Sequence, residues 1–159
     1  VRSFYKGTFH RRSVLGSEFS WQDLYRVQSG DLIFSNIMAW EQAIAIANPE
    51  DDGCVGNHRM LTCEAKPDLA IPGFLWHYFY TPEGFEKIYA ASPGTAARNR
   101  TMTASALMAI DVPVPPLATQ KSFDRLQADV AALKARHAAI RDANTSLLPA
   151  TLERLFSKA

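Results

Sequence analysis

The join at Ile110-Asp111-Val112-Pro113-Val114-Pro115-Pro116-Leu117-Ala118-Thr119-Gln120 constrains this chain more than any other feature. Its prolines have fixed φ and no amide to donate, so the stretch is a stiff connector rather than part of a sheet or a helix interior. Beyond it the apolar residues alternate three and four apart. Phe123, Leu126, Val130, Leu133, His137, Ile140, Asn144 and Leu147 keep that spacing strictly. A repeat of this kind is the seam of a coiled coil. Roughly 30 residues at ~1.5 Å rise make a rod about 45 Å long. His137 and Asn144 are the polar seam positions, which in such assemblies fix register at some cost in stability. Pro149 is expected to break or kink the rod, and Leu152, Leu155 and Phe156 to form a last amphipathic turn or two. The chain therefore reads as one globular unit handing over to a helix built to pair with another helix, an arrangement suited to holding and spacing something rather than to a self-contained enzyme.

At 159 residues, with 47% hydrophobic and 11% aromatic, there is enough apolar surface for one core plus an appendage. The net charge of +1 argues weakly against nucleic acid as a partner for the whole surface. The local distribution argues the other way: Val1 to Leu15 contains no acidic residue, against Arg2, Lys6, Arg11 and Arg12. Cys54 and Cys63 stand nine apart with no second pair and no histidine cluster at zinc-ligand spacing, which reads as two reduced thiols and a cytoplasmic location. No run approaches the ~20 apolar residues of a membrane span, and no leader opens the chain. Val1 is not methionine, so a fragment or trimmed chain is expected.

Within the globular part, Leu32-Ile33-Phe34 reads as a short buried strand stopped at Ser35-Asn36, and Ala43 to Ala47 as a second strand. Asn48 to Gly53 is a turn cluster. Cys54 to Cys63 reads as one strand, interrupted at most at Gly56-Asn57. Pro72 opens a helix over Gly73 to Tyr80. Thr81 caps a second helix, with Pro82 in its first position and Phe85, Ile88 and Tyr89 as its apolar stripe. Residues 95–105 read as a polar loop, and Leu107 to Val114 as a strand entering the proline join. The expected class is α+β: a compact mixed-strand domain over residues 1–115 and a long coiled-coil helix over 116–159.

Four of these segments, in this order, resemble the specificity (S) subunit of type I restriction-modification systems. Gly30 to Ile37, Ala43 to Ala47 and Gly53 to Asn57 resemble the centre of that family's target recognition domain. Ser92 to Arg100 resembles its Gly-Thr/Ser loop with following basic residues. Val112 to Gln120 resembles its Ile-Pro-x-Pro-Pro-Leu-x-Glu-Gln entry to the spacer helix, with Thr119 in place of the usual acid, and Ser146 to Phe156 resembles the end of that helix. Family members often carry two recognition domains and two spacers, so one of each implies half of such a subunit or a half-length form that pairs with a copy of itself. It also implies that the first element of the fold lies before Val1.

The resemblance implies sequence-specific binding of double-stranded DNA, with chemistry left to partners. Modification subunits methylate adenine using S-adenosylmethionine, and a restriction subunit, with ATP and Mg, translocates and cuts. The chain's own residues agree. It has no Asn/Asp-Pro-Pro-Tyr/Phe motif, no glycine-rich nucleotide loop and no grouping of its four histidines that suggests a triad or a metal. No catalytic residue, cofactor or metal is therefore assigned.

Candidate DNA contacts are Lys6, His10, Arg11 and Arg12 in the acid-free stretch, Asn36 and Gln42 around a strand-to-strand turn, Arg59 in the Asn57-His58-Arg59 cluster, and Arg98 and Arg100 after the flexible Gly-Thr. Each has a plainer reading. The basic stretch also fits a solvated face, and Asn36 a turn residue rather than a partner for adenine. Trp40 reads as core. Phe123, Leu126, Val130, Leu133, His137, Ile140 and Leu147 are the expected pairing positions, with a second copy or a missing half as partner. A coiled-coil module carrying a protein- or peptide-binding domain is the alternative function.

Overall fold

A computed structural model describes residues 1–13, 15–19, 23–94 and 99–157. The chain divides into two compact units, Val1–Gln120 and Lys121–Ala159.

In the first unit, strands β1 (Leu24–Arg26), β2 (Leu32–Ser35), β3 (Ile44–Ile46), β4 (Val55–Asn57) and β5 (Met60–Cys63) precede helices α1 (Pro72–Tyr80), α2 (Pro82–Ala90) and α3 (Ala104–Met108). Among the described residues the strands form a three-stranded antiparallel sheet, β3-β2-β5, and a two-stranded ribbon, β1-β4. Phe34 stands opposite Ile44 on one side and Leu61 on the other. Leu32, Ile33 and Phe34 are all buried, because β2 is covered on both faces. Its alternating side chains therefore enter different clusters. Leu32 and Phe34 join Ile44, Phe79, Ile88, Met102 and Leu107 under the helices, while Ile33 packs with Val27 and Ala47.

The helices form where local chemistry favours them. Pro72 and Pro82 occupy first-turn positions, where a missing amide costs no helical bond. Thr81 Oγ1 accepts from the Gly84 N–H at 3.1 Å and donates to the Tyr78 carbonyl at 2.7 Å, ending α1 and starting α2 with one side chain. The two helices approach so closely that a Cβ on Gly84 would sit 2.1 Å from the Tyr78 carbonyl oxygen. Phe79 meets Phe34 edge to face, with centroids 5.4 Å apart.

Two expectations are corrected in this unit. The segment expected as a strand over Leu107 to Val114 is instead helix α3 followed by extended chain outside the sheets. Thr103 Oγ1 accepts from the Ala106 N–H at 3.1 Å and starts a turn of good helix formers, while Pro113, Pro115 and Pro116 offer no donors to a ladder. The stretch expected as one strand over Cys54 to Cys63 is two, β4 and β5, which pair into different sheets across His58-Arg59. Both cysteines are free, and burial, with the charge of Asp31, pushes the Cys63 thiol above its ordinary range.

Helix α4 (Leu117–Phe156) starts in the first unit and makes up the second. Gln120 fixes its start. The side chain is fully buried; Oε1 accepts from the Ile71 N–H at 2.9 Å, and Nε2 donates to the carbonyls of Leu69 and Pro115 at 2.9 and 2.7 Å. One amide thus holds the entry to α1 and the end of the proline join. The helix runs on through Pro149, where a break was among the expectations. Residues 139–156 are exposed, so backbone groups displaced by the proline ring can meet water.

Candidate nucleic-acid interface

The acid-free stretch is held against the body of the first unit by one buried carboxylate. Asp51 closes the 3-10 turn Pro49–Asp51 in a capping box with Asn48, whose N–H donates to Asp51 Oδ2 at 2.8 Å. The same carboxylate reaches across the chain. Thr8 Oγ1 donates to Oδ2 at 2.8 Å, and His10 Nε2 lies 2.8 Å from Oδ1. The Asp51 side chain is 5% exposed, and that of His10 53%. Burial alone would raise the carboxyl, but the bonds from Asn48, Thr8 and His10 outweigh it and hold Asp51 below the usual carboxylate range.

This clamp sets the edge of a cleft of about 880 Å³. His10, Arg11 and Arg12 lie on one side, Cys54 to Asn57 on another, and Val27, Ile33 and Met60 supply apolar lining. Arg11 and Arg12 are exposed. Cys54 Sγ lies 3.7 Å from His10 Nε2, the nitrogen that also faces Asp51. One nitrogen serving both neighbours cannot relay a proton between them as a triad histidine does. Among the described residues, no group of three His, Cys, Asp or Glu side chains is placed to hold a metal.

The remaining candidates fall in different places. Lys6 is exposed, its ammonium 5.9 Å from the Phe4 ring centroid. Gln42 is left-handed at φ 64° and ends the 3-10 turn Ala39–Glu41, with its carbonyl accepting from the Tyr5 N–H. Asn36 and Arg59 are neighbours through the main chain: the Asn36 N–H donates to the Arg59 carbonyl at 2.9 Å. The Asn36 side chain is half-buried, and the Arg59 side chain is exposed on the β4–β5 turn. Arg100 is engaged at the end of α2. Its guanidinium donates to the Ser92 carbonyl at 2.8 Å and stacks over the Tyr89 ring at 3.8 Å. Arg98 lies outside the described residues. Trp40 donates its indole N–H to the Ile37 carbonyl at 2.9 Å, within its own turn.

Asp51 and Thr8 were not among the candidates. Their signal was present in Asn48-Pro49-Glu50-Asp51, a capping-box spacing that places an acid at a predictable point of a turn. Its second use, as the clamp for residues forty positions earlier, depends on tertiary structure.

On the second unit, Leu126, Leu133, Ile140 and Leu147 are 57%, 55%, 58% and 60% exposed, and Val130 is 36% exposed. Phe123 is half-buried and His137 exposed. Among the described residues, no helix is long and apolar enough to cross a membrane.

No protein-family model matches the sequence, and no curated protein does. Solved structures do match. The HsdS subunit from Thermoanaerobacter tengcongensis superposes with a TM-score of 0.63 over 84% of this chain, at 24% identity. The fold is that of part of HsdS. A second chain, from a structure addressing complex assembly and conformational transition of the type I R-M system, gives a TM-score of 0.62 over 88% of this chain, also at 24% identity. The chain spans about a third of each, 33% of the HsdS subunit and 35% of the other. The α+β unit followed by a long helix, expected from the sequence, is the architecture observed and the one shared with HsdS.

Proposed function

We propose that this chain is a DNA-recognition unit with its spacer helix, serving as the specificity subunit, or half of one, in a type I restriction-modification complex. The fold shared with HsdS over most of the chain carries this reading. It is supported by the sequence resemblance, by the basic stretch clamped beside a cleft, and by the exposed apolar stripe on α4. Phosphates would be met by Lys6, Arg11 and Arg12, and base edges by side chains near the cleft such as Arg59 and Asn36. The rod would pair with a second copy or with a matching half. At ~3.4 Å per base pair, a ~45 Å rod spaces two half-sites by about 13 base pairs before domain offsets. Adenine methylation, S-adenosylmethionine, ATP and Mg would belong to modification and restriction subunits, in the cytoplasm.

The test is to map methylated adenines on DNA exposed to this chain together with its modification subunits. A bipartite motif with a fixed non-specific gap is expected, symmetric if two copies pair. Methylation with no sequence preference attributable to this chain would overturn the proposal.

A further inference from the structure

Phe4 and Tyr5 are consecutive non-glycine residues in the left-handed region, with φ of 59° and 53°. Two bulky L-residues in a row do not adopt that conformation unless something holds them there. Here the Phe4 N–H donates to the Glu41 carbonyl and the Tyr5 N–H to the Gln42 carbonyl, each at 3.0 Å, and Ser3 Oγ donates to Glu41 Oε2 at 2.6 Å. Tyr5 anchors the turn. Its hydroxyl donates to the Phe79 carbonyl at 2.6 Å, and its ring packs edge-on to Trp76 and 4.5 Å from Tyr80.

Phe4 gains nothing comparable from this arrangement. It is 60% exposed, with the Lys6 ammonium near its ring. A turn strained at two successive residues, and pinned from several sides, thus presents a large apolar ring to water. Such strain concentrates where a side chain must be held out for use. The surroundings indicate the class of partner. Residues 1–15 carry no acid, and the nearby Phe9, 47% exposed, lies under the Arg2 guanidinium at 5.2 Å. The Glu41 carboxylate beside the turn is already engaged by Ser3. Paired cations and aromatic rings on an acid-free stretch match a polyanion that also has flat π-faces.

We propose that Phe4 is a nucleic-acid contact of its own, laying its ring against a base or sugar while Lys6 meets the adjoining phosphate. This rests on the DNA-recognition reading and adds to it a contact made by apolar surface rather than by charge.

The test is duplex binding by the full chain, followed by anisotropy of a labelled mixed-sequence duplex over a salt series, with the modification subunits present. Phe4→Gly relieves the left-handed strain, so it should raise the thermal midpoint while weakening binding roughly tenfold, on the scale of one lost aromatic stack. The slope of log affinity against log salt should stay unchanged, since no phosphate contact is removed. Phe4→Trp should retain most of the affinity. Arg11→Ala, by contrast, should lower the slope. If wild type binds and Phe4→Gly binds equally tightly, the Phe4 contact is refuted and the DNA reading stands. If wild type binds no duplex at all, both fall. If Phe4→Gly binds DNA normally but loses the modification subunits, the ring is a protein contact and the proposal is wrong.

Discussion

Ile44 and Ile88 are completely buried in the first unit, whereas Ile140, on the rod, is 58% exposed. The same contrast holds for polar groups. Gln120 makes three hydrogen bonds with no exposed surface, and Asp51 is met from Asn48, Thr8 and His10. The first unit satisfies its groups internally and needs no companion to be a folded object. The rod keeps a seam spaced for a partner and leaves it open. Each exposed leucine or isoleucine there would gain roughly 2 kcal/mol on full burial, so the missing stability of the second unit is available from a second helix. Recognition and pairing are thus separable in this chain, and each can be damaged without the other.

The most damaging change to that separation is Leu133→Asp. A paired seam would bury the new carboxylate without a partner, at a cost of several kcal/mol. Light scattering should show the pair falling to single chains, a loss of association of at least about a hundredfold. The near-ultraviolet signal of the aromatic-rich first unit should not change. Pairing that survives unaltered would show that the stripe around Leu133 is not the contact surface.

Gln120→Ala probes the join from the other side. It strands the Ile71 N–H and two carbonyls in a buried site. Unpaired buried groups cost ~1–3 kcal/mol each; with partial relaxation, the first unit should lose about 3 kcal/mol in denaturant unfolding. The rod's pairing, measured at a temperature where the first unit is still folded, should be retained. Equal loss of both would mean that the two units form one cooperative block.

How much of this was legible in the sequence follows from how local each cause is. Leu32 to Phe34 and Ile44 to Ile46 announce strands by composition, and Thr81-Pro82-Glu83 announces a helix start by capping chemistry. The seam from Leu126 to Leu147 shows its period directly. Leu107 to Val114 misled, because an apolar run of that length has no period that separates helix from strand, and the Thr103 cap decided the outcome. Gln120 stood out only as part of a resemblance, since its three partners lie at positions 69, 71 and 115. The basic stretch was visible as charge, but what fixes it was not: the strain at Phe4 and Tyr5 and the clamp at Asp51 exist only after residues forty positions apart have met. Arg100, visible as a free cation, turned out to be occupied by Ser92 and Tyr89.

The smallest expected effect is on the clamp. Asp51→Asn keeps the shape but loses the charge and part of the accepting capacity, so the first unit should be weaker by about 1–2 kcal/mol at neutral pH. The pH dependence makes the test specific. Because the folded carboxyl sits below its ordinary value, the unfolded chain binds the proton more tightly. The stabilisation is therefore fully present above about pH 4, the usual aspartate range, and is lost as pH falls below it through the lowered folded value. Wild type and Asp51→Asn should converge in stability as pH drops through that window and stay parallel above it. Since the clamp also presents Arg11 and Arg12, the variant's affinity for duplex DNA should fall severalfold at neutral pH while the rod pairs as before. A difference between the two proteins that does not shrink in acid would mean that the Asp51 contribution comes from shape alone, and that the basic stretch is held by something other than this charge.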